Sequence, residues 1–172
     1  MMTLTFAFWL GVVILGIIGA MRGWAKELLV TFSVVLALFL LEVLGRYFPP
    51  VREFFAQPNG SAEFWARTIL LLFLVFFGYQ TPNIARIIAP RFARERLADS
   101  LLGFFLGAIN GYLIVGTLWW FLADSSYPFP KVITPPTPTP DIMAFLPPEL
   151  LGIPNIFFAV AIAFLFVLIV FI

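Results

Sequence analysis

Apolar positions in this chain fall in long runs, without the three-to-four spacing of a soluble helix or the alternation of a half-buried strand. Four runs, Leu4–Met21, Leu28–Leu44, Phe64–Ile88 and Leu101–Leu122, each hold close to twenty mostly apolar residues, and a fifth closes the chain at Ile153–Ile172. A helix rises about 1.5 Å per residue, so about 20 apolar residues cross the hydrocarbon core of a bilayer. The pattern predicts an all-α polytopic membrane helical bundle, with four transmembrane helices plus a fifth at the C-terminus. A transmembrane barrel would need many short alternating segments, which these runs are not.

Polar punctuation divides the runs. Leu4–Phe48 is about twice too long for one span and would leave Arg22 and Lys26 at mid-membrane, at about 2.5–3.5 kcal/mol each. A tight turn through Gly23 avoids that and puts Glu27 in the first turn of the second helix, where a negative charge suits the helix dipole. Pro49 and Pro50 end the second helix. Glu42 and Arg46, spaced i and i+4, are expected to pair locally. Val51–Ala62 reads as a short loop. The third helix opens near Phe64 and is expected to kink at Pro82. Asp99-Ser100 is expected to cap the fourth helix, and Val132–Pro140 (VITPPTPTP) to be extended and polyproline-like. The chain thus divides into a four-helix membrane domain (1–125), a Pro-rich extracytoplasmic loop (126–153) and a C-terminal transmembrane helix (154–172).

Composition narrows the function. The chain is 62% hydrophobic and 11% charged, with a net charge of +1 and no Cys or His. That excludes disulfides, thiolate and imidazole metal ligands, and the commonest general base. Nothing resembles the basic patch that nucleic acid requires. There is no phosphate-binding glycine loop and no nucleophile–base pair, so no enzyme is expected, and no cofactor or metal. With no Lys or Arg before Arg22, the N-terminus lacks the basic region of a signal peptide, and the first helix reads as retained.

Two stripes of small residues stand out. Gly103, Gly107 and Gly111 repeat every four residues on the fourth helix, with Asn110, Ile114 and Thr117 close to the same face. Gly16, Gly19, Ala20 and Gly23 form a similar stripe on the first. Such stripes let helix backbones approach closely, and these two are expected to meet each other or a partner. Asn110 reads as interhelical glue. Tyr79, Gln80, Thr81 and Asn83, beside Pro82, make an intramembrane polar patch that reads either as a satisfied kink or as part of a pathway. Arg86, Arg91, Arg94 and Arg96 lie among apolar residues and fit an amphipathic piece facing lipid headgroups.

The segment "LGVVILGIIGAMRGWAKELL", with Arg22, Gly23 and Glu27, resembles the opening signature of the colicin V production protein family. "ADSLLGFFLGAINGYLIVGTLWWFLAD" resembles the same family's Asp-x3-Gly-x3-Gly-x3-Gly helix, at Asp99, Gly103, Gly107 and Gly111. The resemblance covers roughly residues 1–125. Thr5 stands in the region where the family tends to carry an Asp, and Asn110 where it often carries a basic residue. The resemblance implies a bacterial inner-membrane protein linked to colicin V production or export and envelope maintenance, and carries over no catalytic residue.

Loop charge predicts orientation. Six basic residues (Arg22, Lys26, Arg86, Arg91, Arg94, Arg96) fall on one side and four (Arg46, Arg52, Arg67, Lys131) on the other, which puts the six in the cytoplasm. Trp9, Tyr47, Trp65, Trp119 and Trp120 map to the opposite interface. The N-terminus is then outside and the C-terminus cytoplasmic. The expected role is an accessory or scaffold subunit, packing against other integral membrane subunits or itself and against membrane lipids, within a respiratory, photosynthetic or secretion complex. The alternative is an oligomeric channel or transporter component using Tyr79–Asn83 and Asn110.

Overall fold

A computed structural model describes residues 3–56, 60–80, 96–130, 132–137 and 140–171. The described residues fold mainly into helices, with no strand among them. The long helices are α1 (Leu4–Arg22), α2 (Trp24–Tyr47), α4 (Gly60–Gln80) and α5 (Arg96–Asp124). All four are long and apolar enough to cross a membrane. Between them lies the short helix α3 (Pro49–Ala56). After α5 come a 3-10 turn (Asp141–Phe145), the single turn α6 (Pro147–Leu150) and the terminal helix α7 (Asn155–Phe171).

Helix α2 is the centre. It packs against α4, α5 and α7, while α1 lies almost wholly against α5. The shared core draws Val30, Val34 and Ala37 from α2, Leu71 and Val75 from α4, Ile114 and Phe121 from α5, and Ile156 from α7. A second, smaller core joins Phe8 of α1 to Trp119 of α5 and to Leu146, which is fully buried.

Several boundaries differ from the sequence reading. Val51–Ala62 is not simply a loop, because α3 begins at Pro49. Proline cannot continue α2, yet its fixed φ suits the first position of a new helix. Phe48 separates the two in extended geometry, and Phe55 of α3 then faces Gly45 and Arg67. Glu42 and Arg46 are both exposed and form no ion pair among the described residues. Trp119, expected at the non-cytoplasmic interface, is 2% exposed, inside the second core, a burial that is independent of its depth in the membrane. The third span is described as far as Gln80, so the expected kink at Pro82 lies outside the described residues. α7 has 17 residues and rises about 26 Å, short of the roughly 30 Å hydrocarbon core.

The segment after the Pro-rich run is docked rather than free. Pro147 is buried against Gly116, the Tyr112 hydroxyl donates to the Phe145 carbonyl, and the Trp120 indole N–H donates to Glu149 at 3.0 Å.

Candidate functional site

The two glycine stripes pack against each other. α1 and α5 run antiparallel, with Gly19 opposite Gly103 and Gly107, and Gly11 and Val12 opposite Gly111. A Cβ added to Gly111 would fall 2.7 Å from the Val12 Cα, and one on Gly19 would meet the Gly103 carbonyl and lie 2.7 Å from the Gly107 Cα. Backbone thus touches backbone, a packing that only glycine allows. Gly16 faces the Phe104 ring instead.

At the end of this seam the chain turns at Gly23, whose φ of 86° is the left-handed geometry that side chains resist. Asp99 sits against it and accepts a hydrogen bond from the Trp24 N–H at 3.2 Å. The sequence reading gave Asp99 and Ser100 to the start of their own helix. That helix begins at Arg96, a turn earlier, so Asp99 caps α2 instead. Ser100 donates to the Ala20 carbonyl near the end of α1 at 2.9 Å. Two residues of α5 thereby satisfy backbone groups that helix ends leave unpaired.

One turn further along α2 lies a polar network. Glu27 is fully buried. Arg22 donates to its Oε1 at 2.5 Å, and the Asn110 amide donates to its Oε2 at 2.9 Å. The same Asn110 nitrogen donates to the Glu27 carbonyl, also at 2.9 Å. The Thr31 hydroxyl lies 2.7 Å from Asn110 Oδ1 and 3.1 Å from the Glu27 carbonyl, its one proton between two acceptors. Arg22 reaches on to α4, where it lies 4.2 Å over the Tyr79 ring and donates to the Tyr79 carbonyl at 3.3 Å. A carboxylate in the low-dielectric interior is costly alone, and here it has a cation and an amide donor.

This network joins residues that the leading sequence reading kept apart, only the channel alternative having grouped Tyr79 with Asn110. Asn110 was expected to be glue, and Tyr79 to belong to a separate patch. Arg22 and Glu27 were expected only to mark a turn and a dipole. Two signals were present: Arg and Glu five residues apart across a turn, and a lone amide in an apolar helix. Their meeting could not be read without knowing that α5 lies beside α2. Gln80 closes α4. Thr81, Pro82, Asn83, Arg86, Arg91 and Arg94 lie outside the described residues, as does the side chain of Arg96.

At the other end of the bundle Arg67 is held by Glu63 and Asp124, each at 2.5 Å. Its guanidinium lies 4.8 Å from the Phe55 ring centroid. No group of three or more acidic side chains converges as a metal site among the described residues.

No curated protein and no solved structure matches the chain. The family model described as colicin V production protein matches residues 4–137, well over half of the sequence. With its multi-pass architecture, its Arg22-Gly23 turn and its glycine-faced α5, this chain belongs to the colicin V production protein family.

Proposed function

We propose that this chain is a non-catalytic subunit that works by contact with other membrane proteins. One observation carries the reading: Glu27 and Asn110, the buried polar groups at the centre of the network, are engaged by their neighbours in the bundle. Both Glu27 carboxylate oxygens, both Asn110 amide protons and the Asn110 carbonyl oxygen are engaged within the bundle. Glu27 and Asn110 therefore use their polar atoms to hold helices together, while the buried hydroxyls of Tyr79 and Thr117 have no hydrogen-bond partner among the described residues. What the spans offer outward is apolar. On α4 the side chains Ile69, Phe73, Phe76 and Phe77 are each more than half exposed. Such surfaces suit a larger membrane complex, a second copy of the chain, or lipid. Purification from native membranes in mild detergent, followed by mass spectrometry, tests this. An integral membrane protein should co-purify at near-stoichiometric yield, and a clean monomer overturns the proposal.

A second reading, a transport component, is favoured by the convergence of Tyr79 and Asn110 on the Arg22–Glu27 pair. If Asn110→Leu and Gln80→Leu leave flux through proteoliposomes unchanged, that reading fails.

The proposed location is the bacterial inner membrane, with the N-terminus outside and the C-terminus in the cytoplasm. Because the chain has no Cys, single substitutions at the exposed residues Lys26 and Phe145 report sidedness directly. Phe145→Cys should react with an impermeant maleimide on intact cells, and Lys26→Cys only after permeabilisation. The reverse pattern overturns the orientation.

A further inference from the structure

We propose that the Arg67 end of the bundle binds one molecule of a phospholipid whose head joins a phosphate to a primary ammonium, as in the ethanolamine class. The head would occupy the cleft beside Arg67, and an acyl chain the groove between α2 and α7. This site is separate from the glycine seam and from the Glu27 network, and does not depend on the subunit reading.

The cleft is a cavity of about 200 Å³ between the end of α2, the start of α4, the end of α5 and the docked segment Pro148–Gly152. Arg67 is in its wall, beside the rings of Trp120 and Phe121. Two of the five guanidinium N–H groups are taken by Glu63 and Asp124. The rest can donate to a phosphate, and a guanidinium matches phosphate geometry well. Glu42 and Glu149 line the same cleft. Glu42 is exposed and in no ion pair among the described residues, and Glu149 is held in place by the Trp120 indole. Two carboxylates thus line the cleft with one cation, and that cation is itself already paired with Glu63 and Asp124. A bare phosphate would be repelled by that excess, and a simple cation would meet Arg67. A head carrying both signs is complementary to the cleft, its ammonium toward Glu42 and Glu149. A primary ammonium has three protons to give those carboxylates, whereas a trimethylated one has none.

The second observation is the depth of the cleft and what lies next to it. Glu42, Arg67 and Trp120 sit near the ends of three spanning helices, where headgroups and aromatic belts meet. Further along α2 an apolar groove, also about 200 Å³, runs against α7 between Phe32, Leu36, Ala163 and Phe164. Val35 of the groove and Leu38 of the cleft are neighbours at i and i+3 on α2. From Glu42 to Phe32 the helix rises about 15 Å, the depth of one leaflet's hydrocarbon.

Native mass spectrometry of the full chain in detergent, titrated with phosphatidylethanolamine, phosphatidylcholine and phosphatidylglycerol of identical acyl chains, tests the site. Wild type should hold the ethanolamine lipid at least about tenfold more tightly than the other two, the scale of one charge-assisted hydrogen bond. The rim pair E42Q/E149Q should lose that preference at nearly unchanged thermal stability, since Glu42 forms no ion pair among the described residues and a glutamine at 149 keeps an acceptor oxygen for the Trp120 indole. Ala163→Trp should weaken all three lipids by filling the groove. Equal affinity of wild type for the three lipids overturns the proposal, and so does an ethanolamine preference that survives E42Q/E149Q.

Discussion

The Asn110 amide nitrogen lies 2.9 Å from both the carboxylate and the backbone carbonyl of Glu27, across 83 residues of sequence. One side chain thus ties the middle of α5 to the first turn of α2. Asn110→Leu leaves Glu27 Oε2 buried without a donor, which should cost about 1–3 kcal/mol. A melting series in detergent would register this as a lowered midpoint, and Asn110→Gln should restore less than half of it. An unshifted midpoint for Asn110→Leu would mean that the contact carries no stability.

The Arg22–Glu27 pair makes a sharper prediction. Arg22→Leu strands a buried carboxylate and should destabilise by about 3–5 kcal/mol. The double variant R22L/E27L removes the charge as well as its partner, so it should be more stable than R22L alone. Chemical denaturation of the four proteins in a cycle gives the coupling, and strict additivity would show that the pair is not coupled.

The seam between α1 and α5 predicts a contrast among glycines. Gly19→Ala and Gly107→Ala push a Cβ into opposing backbone, and each should cost at least about 2 kcal/mol, the upper range of overpacking. Gly45→Ala meets only the Phe55 ring, at 3.7 Å, and should be neutral or stabilising by up to about 1 kcal/mol through helix propensity. Tm values of the three variants decide it, and a tolerated Gly19→Ala would disprove the close approach.

Asp99 should behave as a cap. Asp99→Ala loses the acceptor for the Trp24 N–H and should cost about 1 kcal/mol, whereas Asp99→Asn keeps an oxygen there and should cost a few tenths. Equal losses in thermal scans would show that the charge, not the cap, matters.

Leu146 fixes the segment after the Pro-rich run. It is fully buried beside Phe8 and Trp119, so Leu146→Ala should cost about 2–5 kcal/mol. Limited proteolysis should then cut between Val132 and Phe145 faster than in wild type. An unchanged cleavage rate would place the anchoring elsewhere.

What could be read from the sequence was whatever repeats or runs locally. Long apolar stretches marked the four spans, and Gly103, Gly107 and Gly111 marked a close-packing face because small residues four apart share one side of a helix. Interactions between distant helices were not legible. Asp99 has a cap's chemistry, but the helix it caps begins 75 residues earlier. Glu27 suited its own helix's dipole, and nothing nearby showed that Asn110 would meet it. Pro49-Pro50 was read only as a stop because the same residue both ends one helix and starts another.

The antiparallel contact of α1 with α5 has a consequence for biogenesis. Helix α1 finds its main partner only after roughly a hundred more residues have been made. In the interval the glycine face of α1 lacks the backbone it packs against in the finished bundle. Arg22 and Glu27, only five positions apart, can neutralise each other at once as they enter. Asn110 arrives last and locks a pair already formed, so the order of synthesis matches the order in which the polar groups need partners.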